Sequence, residues 1–107
     1  MPFRVELTES AERDLAELHA WIAEHDSPER AEHWLERVTE AIGALESSPE
    51  RGAIPAELRD LGIREFRQIY FKPYRLVYRV FDDTVVVLLI ADGRRDLSSL
   101  LARRLLD

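Results

Sequence analysis

Phe3, Val5 and Leu7 alternate with Arg4 and Glu6, the period-two pattern of a strand with one face buried. Directly after it the apolar spacing becomes helical. Ala11, Leu15, Leu18 and Ile22 fall on one stripe, Thr8 offers a side-chain acceptor to the unpaired N–H groups of the first turn, and Glu9 and Glu12 favour its positive end. The spacing predicts a first helix running to about His25. Ser27 and Pro28 then open a second helix, Ser27 as N-cap and Pro28 at the first helical position, where a missing N–H does no harm. Its apolar face is Ala31, Trp34, Leu35, Val38, Ile42 and Leu45, and the two helices are expected to pair as a hairpin.

Ser47-Ser48-Pro49 ends the second helix, and the stretch to Gly62 has no periodicity, so it reads as an ordered surface loop. From Ile63 onward three runs rich in aromatic and β-branched residues end near Phe71, Phe81 and Ala91. Lys72-Pro73 and Asp82-Asp83 separate them, which predicts an antiparallel meander. In the middle run Tyr74, Leu76, Tyr78 and Val80 share one face and Arg75, Val77 and Arg79 the other, whereas Val85 to Ile90 is apolar on both faces, as in a central or doubly covered strand. Asp96 can cap a last helix whose Leu97, Leu100, Leu101 and Leu105 form a stripe. The predicted fold is α+β in the order β-α-α-β-β-β-α. It consists of an antiparallel sheet with the helical hairpin packed on one face, a short C-terminal helix, and the opposite face partly open, in a single domain spanning 1–107.

Composition narrows the chemistry. The chain has 107 residues, 46% hydrophobic and 34% charged, enough to bury one core without metals or disulfides. It has no cysteine, which removes disulfides, thiolate metal sites and cysteine nucleophiles together and suits a reducing compartment. No apolar run is long enough to span a bilayer and the N-terminus lacks the apolar segment of a signal peptide, so the protein is expected in the cytoplasm and away from membranes. The net charge of −6 argues against a simple phosphate-backbone binder. It is unevenly distributed: residues 1–60 hold six arginines against fifteen acids, net −9, and residues 61–107 nine cations against six acids, net +3. A basic second half suits an acidic partner, and equally suits ordinary strand charges beside an acidic helical face.

Within that half, Arg75 and Arg79 either reach together from the open sheet face or are solvated charges facing Glu65 or Asp82. Arg94 and Arg95 either form an anion-binding turn, or follow a Gly93 needed only for positive φ, with Arg95 paired to Asp96. Trp21 and Trp34 read as hairpin packing, and His25 beside His33 as surface histidines, so no metal and no cofactor are expected.

The strand Tyr74-Arg75-Leu76-Val77-Tyr78-Arg79-Val80, followed by Val85 to Ala91 and the turn Asp92-Gly93-Arg94-Arg95-Asp96-Leu97, resembles the RelE/ParE superfamily of bacterial toxins over nearly the whole chain. The resemblance implies one half of a type II toxin–antitoxin pair, neutralised by a cognate antitoxin, ParD-like or RelB-like, which also supplies any contact with operator DNA. It implies one of two activities, inhibition of DNA gyrase as in ParE-type toxins, or ribosome-dependent cleavage of messenger RNA as in RelE-type toxins. By resemblance Arg75 and Arg95 match two phosphate-stabilising arginines of the nucleases. Similar nucleases also carry lysines and a tyrosine or histidine where this chain has Phe66, Gln68 and Leu101. Its one lysine, Lys72, lies at a predicted turn and its three histidines, His19, His25 and His33, in the hairpin. Arginine stays protonated and supplies charge rather than proton transfer. The gyrase-inhibiting type is therefore the expected one, with no catalytic residue and with Arg75, Arg79, Arg94 and Arg95 as candidate contacts to antitoxin or target.

Overall fold

The computed structural model describes residues 2–106; Met1 and Asp107, the two ends of the predicted domain, lie outside the described residues. The chain forms β1 (Arg4–Leu7), α1 (Glu9–His25), α2 (Pro28–Ala44), α3 (Ala56–Arg59), β2 (Phe66–Phe71), β3 (Tyr74–Phe81), β4 (Thr84–Asp92) and α4 (Leu97–Leu106). Both long helices begin as their caps dictate. The Thr8 hydroxyl accepts from the Ala11 N–H and the Ser27 hydroxyl from the Arg30 N–H, each at 3.0 Å.

The four strands lie in the order β1-β4-β3-β2. The meander β2-β3-β4 is antiparallel, as its short turns require, but β1 joins β4 in parallel, pairing Arg4 with Thr84 through Leu7 with Val87. The sheet is therefore mixed rather than wholly antiparallel. Everything between β1 and β4 acts as a long crossover, and only such a connection lets two strands run the same way side by side.

β4 is central, and its apolar character on both faces has two causes. Ala11, Ile22, Trp34, Val38 and Leu45 of the hairpin side pack on Leu76, Tyr78, Val85, Val87 and Ile90. On the other face Leu58, Leu97 and Leu101 cover Phe66, Val77, Leu89 and Ala91. Between Val77 and Tyr78 the register slips by one residue, since Val77 faces Leu89 and Tyr78 faces Val87, so Leu88 is left without a partner as a bulge. The expected open face is thus closed. α4 and α3, a turn of helix inside the predicted loop, cap it, because Val77, Leu89 and Ala91 would otherwise expose apolar surface. Leu105, placed on the α4 stripe by spacing, is 55% exposed.

The loop from Pro49 to Gly52 is ordered by Tyr78. Its hydroxyl donates to the Pro49 carbonyl at 2.7 Å and accepts from the Gly52 N–H at 2.9 Å. A Cβ on Gly52 would stand 2.6 Å from the Gln68 carbonyl oxygen, so only glycine allows this approach. No helix among the described residues is long and apolar enough to cross a membrane.

Candidate functional site

Arg75 leaves β3 on the face covered by α3 and α4, and is 3% exposed. Both terminal amino groups of its guanidinium are engaged. Nη1 and Nη2 donate to Glu57 Oε1 and Oε2 at 3.2 and 3.0 Å, Nη1 also donates to Gln68 Oε1 at 3.0 Å, and Nη2 to the Arg95 carbonyl at 3.3 Å. The fork-on-carboxylate geometry ties α3 to the sheet and to the turn before α4. The hydrogen bonds from Arg75 hold the Glu57 carboxyl below its ordinary pKa, against the opposing effect of partial burial. A reading of Arg75 as a solvent-facing contact therefore does not hold, because the closed face has turned it into a cross-brace.

Arg79 shares that face four residues on and remains half-buried. It lies over the rings of Phe81 and Phe66, 4.3 and 5.7 Å from their centroids, a cation–π arrangement rather than a pairing with Glu65 or Asp82.

The Asp92–Leu97 turn is built differently from its expected alternatives. Gly93 does not have positive φ; it is small because a Cβ would come within 2.9 Å of the Tyr70 ring and 3.1 Å of the Pro73 carbonyl oxygen. Asp92 grips Arg94, with Oδ1 accepting from the Arg94 backbone N–H and Nε at 2.9 and 3.0 Å, and Oδ2 from Nη2 at 2.8 Å. Those hydrogen bonds bring the Asp92 carboxyl down to about 2. Asp96 caps α4 through the Ser98 and Ser99 N–H groups and the Ser99 hydroxyl, and makes no pair with Arg95.

Arg94 and Arg95 line a cleft of about 380 Å³ beside the upper end of β4, walled by Leu18 and Trp21 of α1 and by Leu100 and Arg104 of α4. Here β4 has outrun β1, and its edge is finished by side chains. Asp14 Oδ2 accepts from the Ile90 N–H at 3.0 Å, Arg104 Nη1 donates to the Leu88 carbonyl at 2.7 Å, and the two side chains pair with each other at 2.8 and 3.1 Å. Each is more than four-fifths buried. In the sequence Arg104 reads only as a cation suiting the dipole at the end of the last helix, and Asp14 carries no assigned role, although both fall on the apolar stripes of their helices, Asp14 between Ala11 and Leu18, and Arg104 after Leu97 and Leu100. A charge on an apolar stripe is the available signal. Glu57 had no such signal, since its helix is one turn long.

The structure therefore separates the four candidate arginines. Arg94 and Arg95 meet at one cleft with Arg104, Arg75 is sealed inside the covered face, and Arg79 lies at the far end of β3. Phe66 and Leu101, at two positions where similar nucleases carry polar groups, are core residues, and Gln68 is bonded to Arg75. His19 is bonded to Glu32, and His25 to the Trp21 carbonyl while stacking on the Trp21 ring; both are on the hairpin, away from Arg75.

This fold, a hairpin of helices over a mixed four-stranded sheet closed by a C-terminal helix, is shared with toxins of both RelE and ParE kinds. A structure of the chromosomal ParDE system of P. aeruginosa superposes with a TM-score of 0.69 at 20% identity, covering 84% of this chain and 95% of that one. A mutant of the E. coli toxin RelE in the free state gives 0.65 at 18% identity, covering 98% and 96%. The RelBE2 toxin–antitoxin complex of Mycobacterium tuberculosis gives 0.55 at 31% identity, covering 86% and 92%. The class is thus the RelE/ParE superfamily of type II toxins. Residues 5–97 match the family model for the ParE toxin of the parDE type II toxin–antitoxin system, and Toxin ParE3 of Caulobacter vibrioides is 30% identical over 101 residues, 94% of this chain and 97% of that protein. The chain belongs to the ParE toxin family.

Proposed function

We propose that this toxin inhibits DNA gyrase without cutting nucleic acid and is neutralised by a ParD-like antitoxin. The observation that carries the reading is the engagement of Arg75. In a ribonuclease of similar fold this arginine stabilises phosphate; here Glu57, Gln68 and the Arg95 carbonyl occupy its fork. The one carboxylate beside it, Glu57, is held ionised with its pKa lowered, which moves it away from the near-neutral value that suits a general base. The family match and the ParDE and RelBE2 structures, each a toxin–antitoxin system, support the antitoxin as partner. Arg94 and Arg95, exposed beside the α1–α4 cleft, are our candidates for contact with antitoxin or target.

The test is biochemical. Purified toxin added to gyrase, relaxed plasmid and ATP is expected to block supercoiling and accumulate cleaved plasmid, while a translating extract programmed with a reporter message keeps that message intact. Cut messages with unaffected gyrase would replace this reading by the RelE-type one.

A further inference from the structure

A second cleft, of about 500 Å³, lies across the hairpin from the first, between α1, α2 and the β2–β3 turn. Trp21 and Tyr74 belong to both clefts. The cations of this second one are largely uncommitted for so acidic a part of the chain: Arg37 and Lys72 make no ion pair or hydrogen bond among the described residues, and Arg30 has only a 3.6 Å contact with Asp26. Trp34 lines the same cleft, is nine-tenths buried, and its Nε1 has no hydrogen-bond acceptor. That donor is covered, so Trp34 enters the cleft as a wall of it rather than as a hydrogen-bond donor to what lies there. Arg37 continues into a neighbouring hollow that adds Arg51, Glu40 and Phe71, so the cations Arg30, Arg37, Arg51 and Lys72 outnumber the acids Asp26 and Glu40 along one track broken by apolar surface.

We infer that this track is a docking groove for an acidic polypeptide segment, whose carboxylates meet Arg30, Arg37 and Lys72 and whose apolar side chains rest against Trp21, Ile22 and Pro73. Charge complementarity decides the occupant. Residues 1–60 carry net −9, and Arg30 and Arg37 stand out as cations within them. A nucleic acid laid here would run its continuous phosphates along the acidic outer faces of α1 and α2, with too few cations to release counterions. A peptide brings isolated carboxylates spaced by apolar groups, which is the alternation the groove offers. The chemistry stands alone; that the antitoxin supplies the segment rests on the reading under Proposed function.

The chain has two tryptophans, so its indole N–H resonances in ¹⁵N-correlated NMR spectra are two, and Trp21→Phe assigns them. The probes are a short synthetic peptide of leucine and glutamate, its glutamine counterpart, and an oligothymidylate of equal charge. The glutamate peptide is expected to shift the Trp34 resonance, the glutamine peptide not, and Arg37→Ala with Lys72→Ala to weaken the effect by about tenfold or more. Both substituted side chains are exposed, and the remaining backbone spectrum reports whether the fold is kept. No shift at Trp34, an equal shift with the glutamine peptide, or a stronger one with the oligonucleotide overturns the groove. Co-expression separates the two ideas. If the product of an adjacent antitoxin reading frame fails to neutralise the toxin, the antitoxin reading fails, whereas neutralisation undiminished in the double variant, with no peptide shift, removes the groove alone.

Discussion

Arg75 shows how a residue changes meaning when its surroundings close. A buried guanidinium bound to a carboxylate, an amide and a carbonyl is a brace, and removing it leaves Gln68 and the Arg95 carbonyl without their donor. Arg75→Ala is expected to destabilise by about 2–4 kcal/mol in urea titration, at the modest end for a buried pair because Glu57 is half-exposed, and Arg75→Lys to recover only part, since an ammonium cannot make the paired fork. Tyr78→Phe removes two hydrogen bonds and should cost about 1–2 kcal/mol, with amide exchange of Gly52 and Ala53 rising first. Acid sensitivity also has a residue-level cause. Asp92 titrates at about 2 in the folded chain against an ordinary 3.8, so the unfolded chain takes up its proton first. Its contribution is present above pH about 4 and is lost as pH falls through about 2. Glu57, also lowered, acts in the same direction. Thermal melts between pH 5 and 2 should show Tm falling, and Asp92→Asn should flatten that fall.

At the scale of elements, the notable device is the edge of β4. A strand that outruns its neighbour leaves N–H and C=O groups unpaired, and here an aspartate from α1 and an arginine from α4 take the place of the missing strand. The same pair ties the two helices across ninety residues of sequence. Asp14→Ala and Arg104→Ala are each expected to loosen α4, seen as faster proteolysis at Arg103. A double-mutant cycle should return a coupling of about 1–3 kcal/mol, because each single change strands a largely buried charge. A coupling near zero would mean that α4 is held by Leu97 and Leu101 alone.

For the whole molecule, the order of all elements but the single turn of α3, the caps Thr8, Ser27 and Asp96, the hairpin stripes and the doubly apolar β4 were legible, because each depends on spacing within a few residues of chain. The resemblance carried by Tyr74 to Leu97 was legible for the same reason, as a contiguous pattern. The parallel pairing of β1, the covering of the second sheet face by α3 and α4, and the bulge at Leu88 were not, since each joins segments far apart in sequence. The candidate site divided along the same line. Arginines 75, 79, 94 and 95 could be named from their order in the chain, but whether each faces solvent, a ring or a carboxylate depended on what covers the sheet. The sequence by itself determined the strands and the three longer helices, the excess of cations in the second half and the superfamily. Only the tertiary structure decided that Arg75 is a brace while Arg94 and Arg95 are exposed, because burial and ion pairing are properties of neighbours brought together in space, and spacing along a chain does not encode which distant carboxylate arrives.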